Sequence, residues 1–156
     1  MSIVKQARLL QSGILPLLFL VIVAGCSKDF FKPYDERIIG QWELYDTNKA
    51  GFGSGKIVYS EGRFQFMSDG SFLYTRQSGA KYTGTWRLKK YTVTVTDSEG
   101  KQQSEQKHSL LLSATNTEDQ QLLSENFDNL YFTGTNKFKA EVSNNFNTVI
   151  YKFKRD

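Results

Sequence analysis

The chain has 156 residues but only one cysteine, one histidine and two prolines, and each scarcity removes a class of explanation. A single thiol, Cys26, closes no intramolecular disulfide, so stability must come from a packed core. A lone His108 excludes a histidine-rich metal site, and no Gly-x-Ser-x-Gly turn surrounds any serine. The glycine run Gly51-x-Gly53-x-Gly55 lacks the following Lys-Ser/Thr and the strand-to-helix setting of a phosphate cradle, and reads as a flexible loop. The carboxylate neighbours Asp97 with Glu99 and Glu118 with Asp119 fall in turn-like polar stretches. The expectation is therefore no enzyme, no cofactor and no bound metal. Formal net charge is only +4, without a clustered basic patch, which argues against nucleic acid as a partner.

Acidic residues are also missing from the start of the chain, where none precedes Asp29. Lys5 and Arg8 come first, then an apolar run over residues 14–23, then Val23-Ala24-Gly25-Cys26. That order is a secretory leader: a basic segment, a short apolar core and small residues at the cut. About ten apolar residues, interrupted by Pro16, fall short of the roughly 20 that span a bilayer. A cysteine directly after Ala-Gly resembles the bacterial lipobox, in which the thiol is acylated, for example with palmitate, and the leader is removed. The resemblance implies a leader over 1–25, a lipidated tether over 26–37 and a folded domain over 38–156, held at a membrane through Cys26. Ser27 is not the aspartate that retains enteric lipoproteins at the inner membrane, so the outer membrane is the expected location, on either face.

Beyond the tether the chain is rich in aromatics, with 12 Phe, 8 Tyr and 2 Trp. Such residues suit pleated, half-buried surfaces, and no long stretch repeats apolar residues at the helical period. Asp69-Gly70 between 63–66 and 71–74 is a strong hairpin signal that sets Phe64, Phe66, Phe72 and Tyr74 on one face. A strand over 81–88 passes through Lys89-Lys90 into another over 91–96, with Tyr91, Val93 and Val95 inward. Further strands are expected over 106–113, 120–124, 129–133, 137–142 and 148–154. Nine or ten short strands with frequent turns give an all-β domain, and sequential tight turns favour a small antiparallel meander barrel over a sandwich.

Gly40-Gln41-Trp42 on the first strand is similar to the Gly-x-Trp signature that opens lipocalins. Phe66-x-x-Asp69-Gly70-x-Phe72, followed by Gly84-Thr85-Trp86-Arg87-Leu88, resembles the lipocalin-like lipoproteins of Bacteroidetes. The resemblance implies a barrel closed at one end by Trp42. The inward aromatics Phe64, Phe66, Phe72, Tyr74, Trp86 and Tyr91 are then either core or the wall of a cup for a small apolar or amphipathic molecule. The alternative is a solid barrel whose surface docks another envelope protein. Cys26→Ser is expected to abolish fatty-acid incorporation and to release the chain from the membrane fraction. Metabolic labelling decides this, and equal label in the variant would rule the anchor out.

Overall fold

The computed structural model describes residues 32–52 and 55–156, so the leader 1–25 and Cys26 lie outside the described residues. A helical turn, α1 (Tyr34–Ile38), precedes nine strands: β1 (Gly40–Gly51), β2 (Gly62–Phe66), β3 (Ser71–Arg76), β4 (Lys81–Thr96), β5 (Gln102–Asn116), β6 (Leu122–Phe127), β7 (Asn129–Phe132), β8 (Lys137–Ser143) and β9 (Asn147–Arg155). All nine belong to one antiparallel sheet in the order β6-β5-β4-β3-β2-β1-β9-β8-β7. The all-β reading holds. No helix among the described residues is long and apolar enough to cross a membrane.

The alternation expected of the first hairpin is present. Phe64 lies opposite Tyr74 and Phe66 opposite Phe72, and all four side chains are buried. At the tip, Gly70 adopts φ +83°, a conformation that glycine reaches without steric penalty. The Asp69 carboxylate accepts from the Ser71 N–H at 2.8 Å and from its hydroxyl at 2.6 Å. The turn is thus held by an aspartate that folds back on its own backbone.

Three expectations are corrected. Residues 81–88 and 91–96 are not separate strands but one, β4, paired to β5 without interruption from Tyr82–Asn116 to Thr96–Gln102. Lys89 and Lys90 keep their backbone N–H groups and have no turn preference, so nothing there breaks a ladder. The last residues of the expected tether, 34–37, are folded as α1, with Arg37 and Ile38 buried. The sheet is also not closed by hydrogen bonds as the expected meander barrel would be, because no ladder joins β6 to β7 among the described residues. Only Asp128 stands between them, too little chain for even a two-residue hairpin turn. The backbone therefore runs from β6, paired with β5, directly into β7, paired with β8. Both ends of the sheet belong to one stretch of chain. Asp128 fixes the corner, donating its N–H to the Glu141 carbonyl at 2.7 Å and accepting from the Ser143 N–H at 2.7 Å.

β4 and β5 outrun their neighbours. β3 accompanies β4 only to Thr85, and β6 accompanies β5 only from Leu110. The remaining ribbon is tied back by the Tyr91 hydroxyl, which donates to the Asp128 carbonyl at 2.7 Å. Lys89, Lys90, Glu105 and Lys107 along it discourage edge-to-edge pairing with other strands.

One end of the sheet is sealed around Trp42. Its indole N–H donates to the Ile38 carbonyl at 2.7 Å, which joins α1 to β1. The Arg155 guanidinium lies 4.6 Å from the Trp42 ring and donates to the Arg37 carbonyl at 2.9 Å. Gly40, at φ +124°, leaves room for that guanidinium, since a Cβ there would sit 2.9 Å from the Arg155 Nη1. The Gly-x-Trp spacing is a packing requirement: a bare backbone, then the ring that the arginine covers. Trp42→Ala is expected to cost about 3–5 kcal/mol, measured by urea unfolding. Trp42→Phe should cost less, since it keeps an aromatic ring and loses the bond to Ile38.

Candidate functional site

The buried face of the sheet wraps around rings. Phe64 lies 4.6 Å from Tyr74 and 5.8 Å from Phe72 between centroids, and Phe66 lies 5.3 Å from Phe72. Two strands away on β9, Phe153 meets Phe64 at 5.1 Å and stacks on its ladder partner Phe138 at 4.3 Å. These separations and tilts are those of contacting aromatic pairs, with no room for a further molecule between them. The loop after β1 completes the filling. Gly51, expected in a flexible loop, instead ends β1, and in the segment 55–60 Gly55 and Tyr59 are buried while Lys56, Ile57 and Ser60 stay exposed. Tyr59 has no exposed surface and contacts Phe64, Phe72 and Tyr74 at 5.5, 6.3 and 5.1 Å. Periodicity could not reveal it, because Tyr59 belongs to no strand.

Four tyrosines form a layer with rings in the core and hydroxyls toward the end of the sheet opposite Trp42. Tyr59 donates to the Leu123 carbonyl at 3.4 Å, Tyr74 to the Ser60 carbonyl at 3.2 Å and Tyr82 to Gln121 Oε1 at 3.1 Å, while Tyr151 accepts from the Val58 N–H at 3.3 Å. Burial pushes the Tyr59 hydroxyl far above its ordinary range, and the nearby Glu125 charge adds to the effect. Burial likewise raises Tyr151, to about 12. Glu125 is itself raised by desolvation.

Of the six aromatics expected to face inward, Phe64, Phe66, Phe72 and Tyr74 come together in this core. Trp86 packs against its rim, 5.8 Å from Phe66, with its indole N–H donated to the Met67 carbonyl at 2.9 Å. Tyr91 is a correction. Because β4 runs on unbroken, its alternation places residue 91 on the face opposite Tyr82 and Trp86. His108 is stacked on Tyr34 at 3.9 Å with 11° between the rings. Its pKa is lowered, first by burial and then by Lys90.

The open space lies elsewhere. β1 and β2 pair as far as Leu44–Gly62 and then part, and from Asp46 to Gly51 β1 pairs with β9 alone among the described residues. Where the strands part, two adjoining cavities of about 590 and 560 Å³ share Tyr45, Glu61, Arg76 and Gln77. They adjoin in one groove, and each alone is within the size range of ligand sites. Arg76 stands on the last row of β3, its guanidinium 5.1 Å from the Tyr82 ring. Its Nε is buried and has no hydrogen-bond acceptor. Sequence reading missed this groove, since it arises from a divergence of strands. A lone arginine before a Gln-Ser-Gly turn carries no signal of it.

Phe52 and Phe146 stand together at the same end of the sheet. The Phe52 N–H donates to the Phe146 carbonyl at 2.9 Å, while the two side chains are 89% and 75% exposed.

Comparison with known proteins matches this chain to no family model, no curated protein and no solved structure.

Two measurements check the filled interior. Tyr59→Ala should destabilise the fold by about 3–5 kcal/mol by leaving a void lined with rings. Alkaline titration gives the second. Tyr59 and Tyr151 have folded pKa values raised above the ordinary tyrosine value of about 10, so the unfolded chain loses these protons first. The stability they confer is fully present below pH 10 and falls as pH rises from there toward 12 and beyond. Tyr151→Phe should flatten this alkaline decline in urea-unfolding midpoints. An unchanged slope would remove Tyr151 from the account.

Proposed function

We propose that this chain is an exported lipoprotein, acylated at Cys26 and held at the outer membrane, whose sheet wraps as a lipocalin-like barrel and serves as a non-enzymatic interaction subunit for another envelope protein. The observation that carries this reading is the filled interior. Phe64, Phe66, Phe72 and Tyr74 are packed on one another and capped by Tyr59. A cup for a small apolar molecule would require those rings to part and leave buried surface without contacts. A solid barrel instead offers its outside.

The direction in which it would do so follows from β1. The chain enters at α1 beside Trp42, and β1 then runs twelve residues to the opposite end. At roughly 3.3 Å per residue that is about 40 Å. Phe52, Phe146 and the groove at Arg76 therefore lie at the end of the sheet away from α1. Exposed apolar side chains beside polar groups are the composition of a docking surface.

Native mass spectrometry of the full chain, extracted in mild detergent from its own host, is expected to show a reproducible protein partner and no retained small molecule. A tightly held small-molecule mass would instead support an interior ligand and overturn the docking reading. Turnover lost on mutating one acidic pair would overturn the non-enzymatic assignment.

A further inference from the structure

The groove between β1 and β2 contains an unusual donor. Arg76 offers five N–H groups in a planar fork suited to a carboxylate. Its Nε is buried without an acceptor. An unpaired buried donor is unfavourable and infrequent in folded proteins, more so on a charged group. The other charges lining the groove are nearly all paired. Glu43 meets Lys154 at 2.9 Å, Asp46 meets Lys152 at 2.8 Å and Arg63 meets Asp156 at 3.1 Å. Glu61 has no ion-pair partner among the described residues. The groove therefore presents one unmatched cation and one unmatched anion.

Beside these charges runs unpaired backbone. From Asp46 to Gly51, β1 has a ladder partner only on the β9 side among the described residues. Tyr45, Asp46 and Thr47 line the groove along this open edge. A strand edge with alternate N–H and C=O groups free is a template for an added strand. Its hydrogen bonds demand an extended peptide, and the unmatched guanidinium demands an acidic group at one end. Three carboxylates in the wall, Glu43, Asp46 and Glu61, disfavour a doubly charged phosphate and leave a single carboxylate as the better fit.

We propose that the groove binds the C-terminal end of an extended peptide, with its terminal carboxylate on the Arg76 guanidinium and its backbone along the open edge of β1. Glu61 then faces peptide N–H groups. This rests on the docking reading and names the part of the partner that is recognised: a free chain end.

The test uses the full-length, isotope-labelled protein in detergent micelles, titrated with N-acetyl trialanine as the free acid and as the C-terminal amide. Amide-resonance shifts report binding in the millimolar range. The free acid is expected to move resonances over 45–47, 61–62 and 75–79 together with the Arg76 Nε–H signal. The amide should bind at least about 10-fold more weakly, as should Arg76→Gln titrated with the acid. Equal binding of acid and amide, no shift with either, or full binding by Arg76→Gln would each overturn the proposal. Acetate producing the same shifts at the same concentration would overturn the peptide part. If Arg76→Gln fails to fold, the acid-against-amide comparison on the natural chain still decides. A partner that co-purifies unchanged with a folded Arg76→Gln variant would leave docking in place and remove this groove from it.

Discussion

A curved sheet encloses a volume that its own strands must fill, and here the last part of that filling comes from outside the strands. Tyr59 reaches into the interior from the loop between β1 and β2, where its ring meets Phe64, Phe72 and Tyr74. Much else depends on this. The segment folds inward over β9, so that Gly55 lies against Asn147 and Val149, and among the described residues the second half of β1 keeps β9 on one side and has no strand on the other. The groove at Arg76 exists because the loop was withdrawn to complete the core. The same displacement that makes the interior solid makes the exterior indented.

The tyrosine layer shows how a core of large rings tolerates polar atoms. Each hydroxyl extends past the apolar zone to a backbone or amide partner at the far end. The opposite end uses phenylalanine and tryptophan, and its polar needs are met by one indole bond and two arginines. Arg37 lies 3.9 Å from the Phe132 ring and donates to the Gly134 carbonyl at 2.8 Å, while Arg155 covers Trp42. The interior thus grades from purely apolar to hydrogen-bonded along the strands.

The strands were legible wherever alternation and turn chemistry agreed. Phe64, Phe66, Phe72 and Tyr74 around Asp69-Gly70 are the clearest case, because a period of two and an αL glycine specify one register. Tyr91 was misplaced because two lysines looked like an interruption, and one residue of slip in alternation reverses the face. The direct passage from β6 through Asp128 into β7 was not legible, since alternation describes single strands and not which strands pair. Tyr59 and Arg76 were invisible for a related reason. Their roles come from where a loop goes and where two strands separate, neither of which leaves a periodic trace.

The pairing of β1 with β9 has a consequence for the order in which the molecule can form. Trp42 lies opposite Arg155 and Gly51 opposite Asn147, so the first strand waits for the last. Hairpins such as β2–β3 can close early, but the ring at Trp42 gains its arginine cover only once nearly every residue has been delivered. Contacts so distant in sequence are slow to form and demand a large loop closure beforehand. For an exported chain, as proposed for this one, such lateness would be useful. Under that proposal the domain would stay threadable until its final strand had crossed.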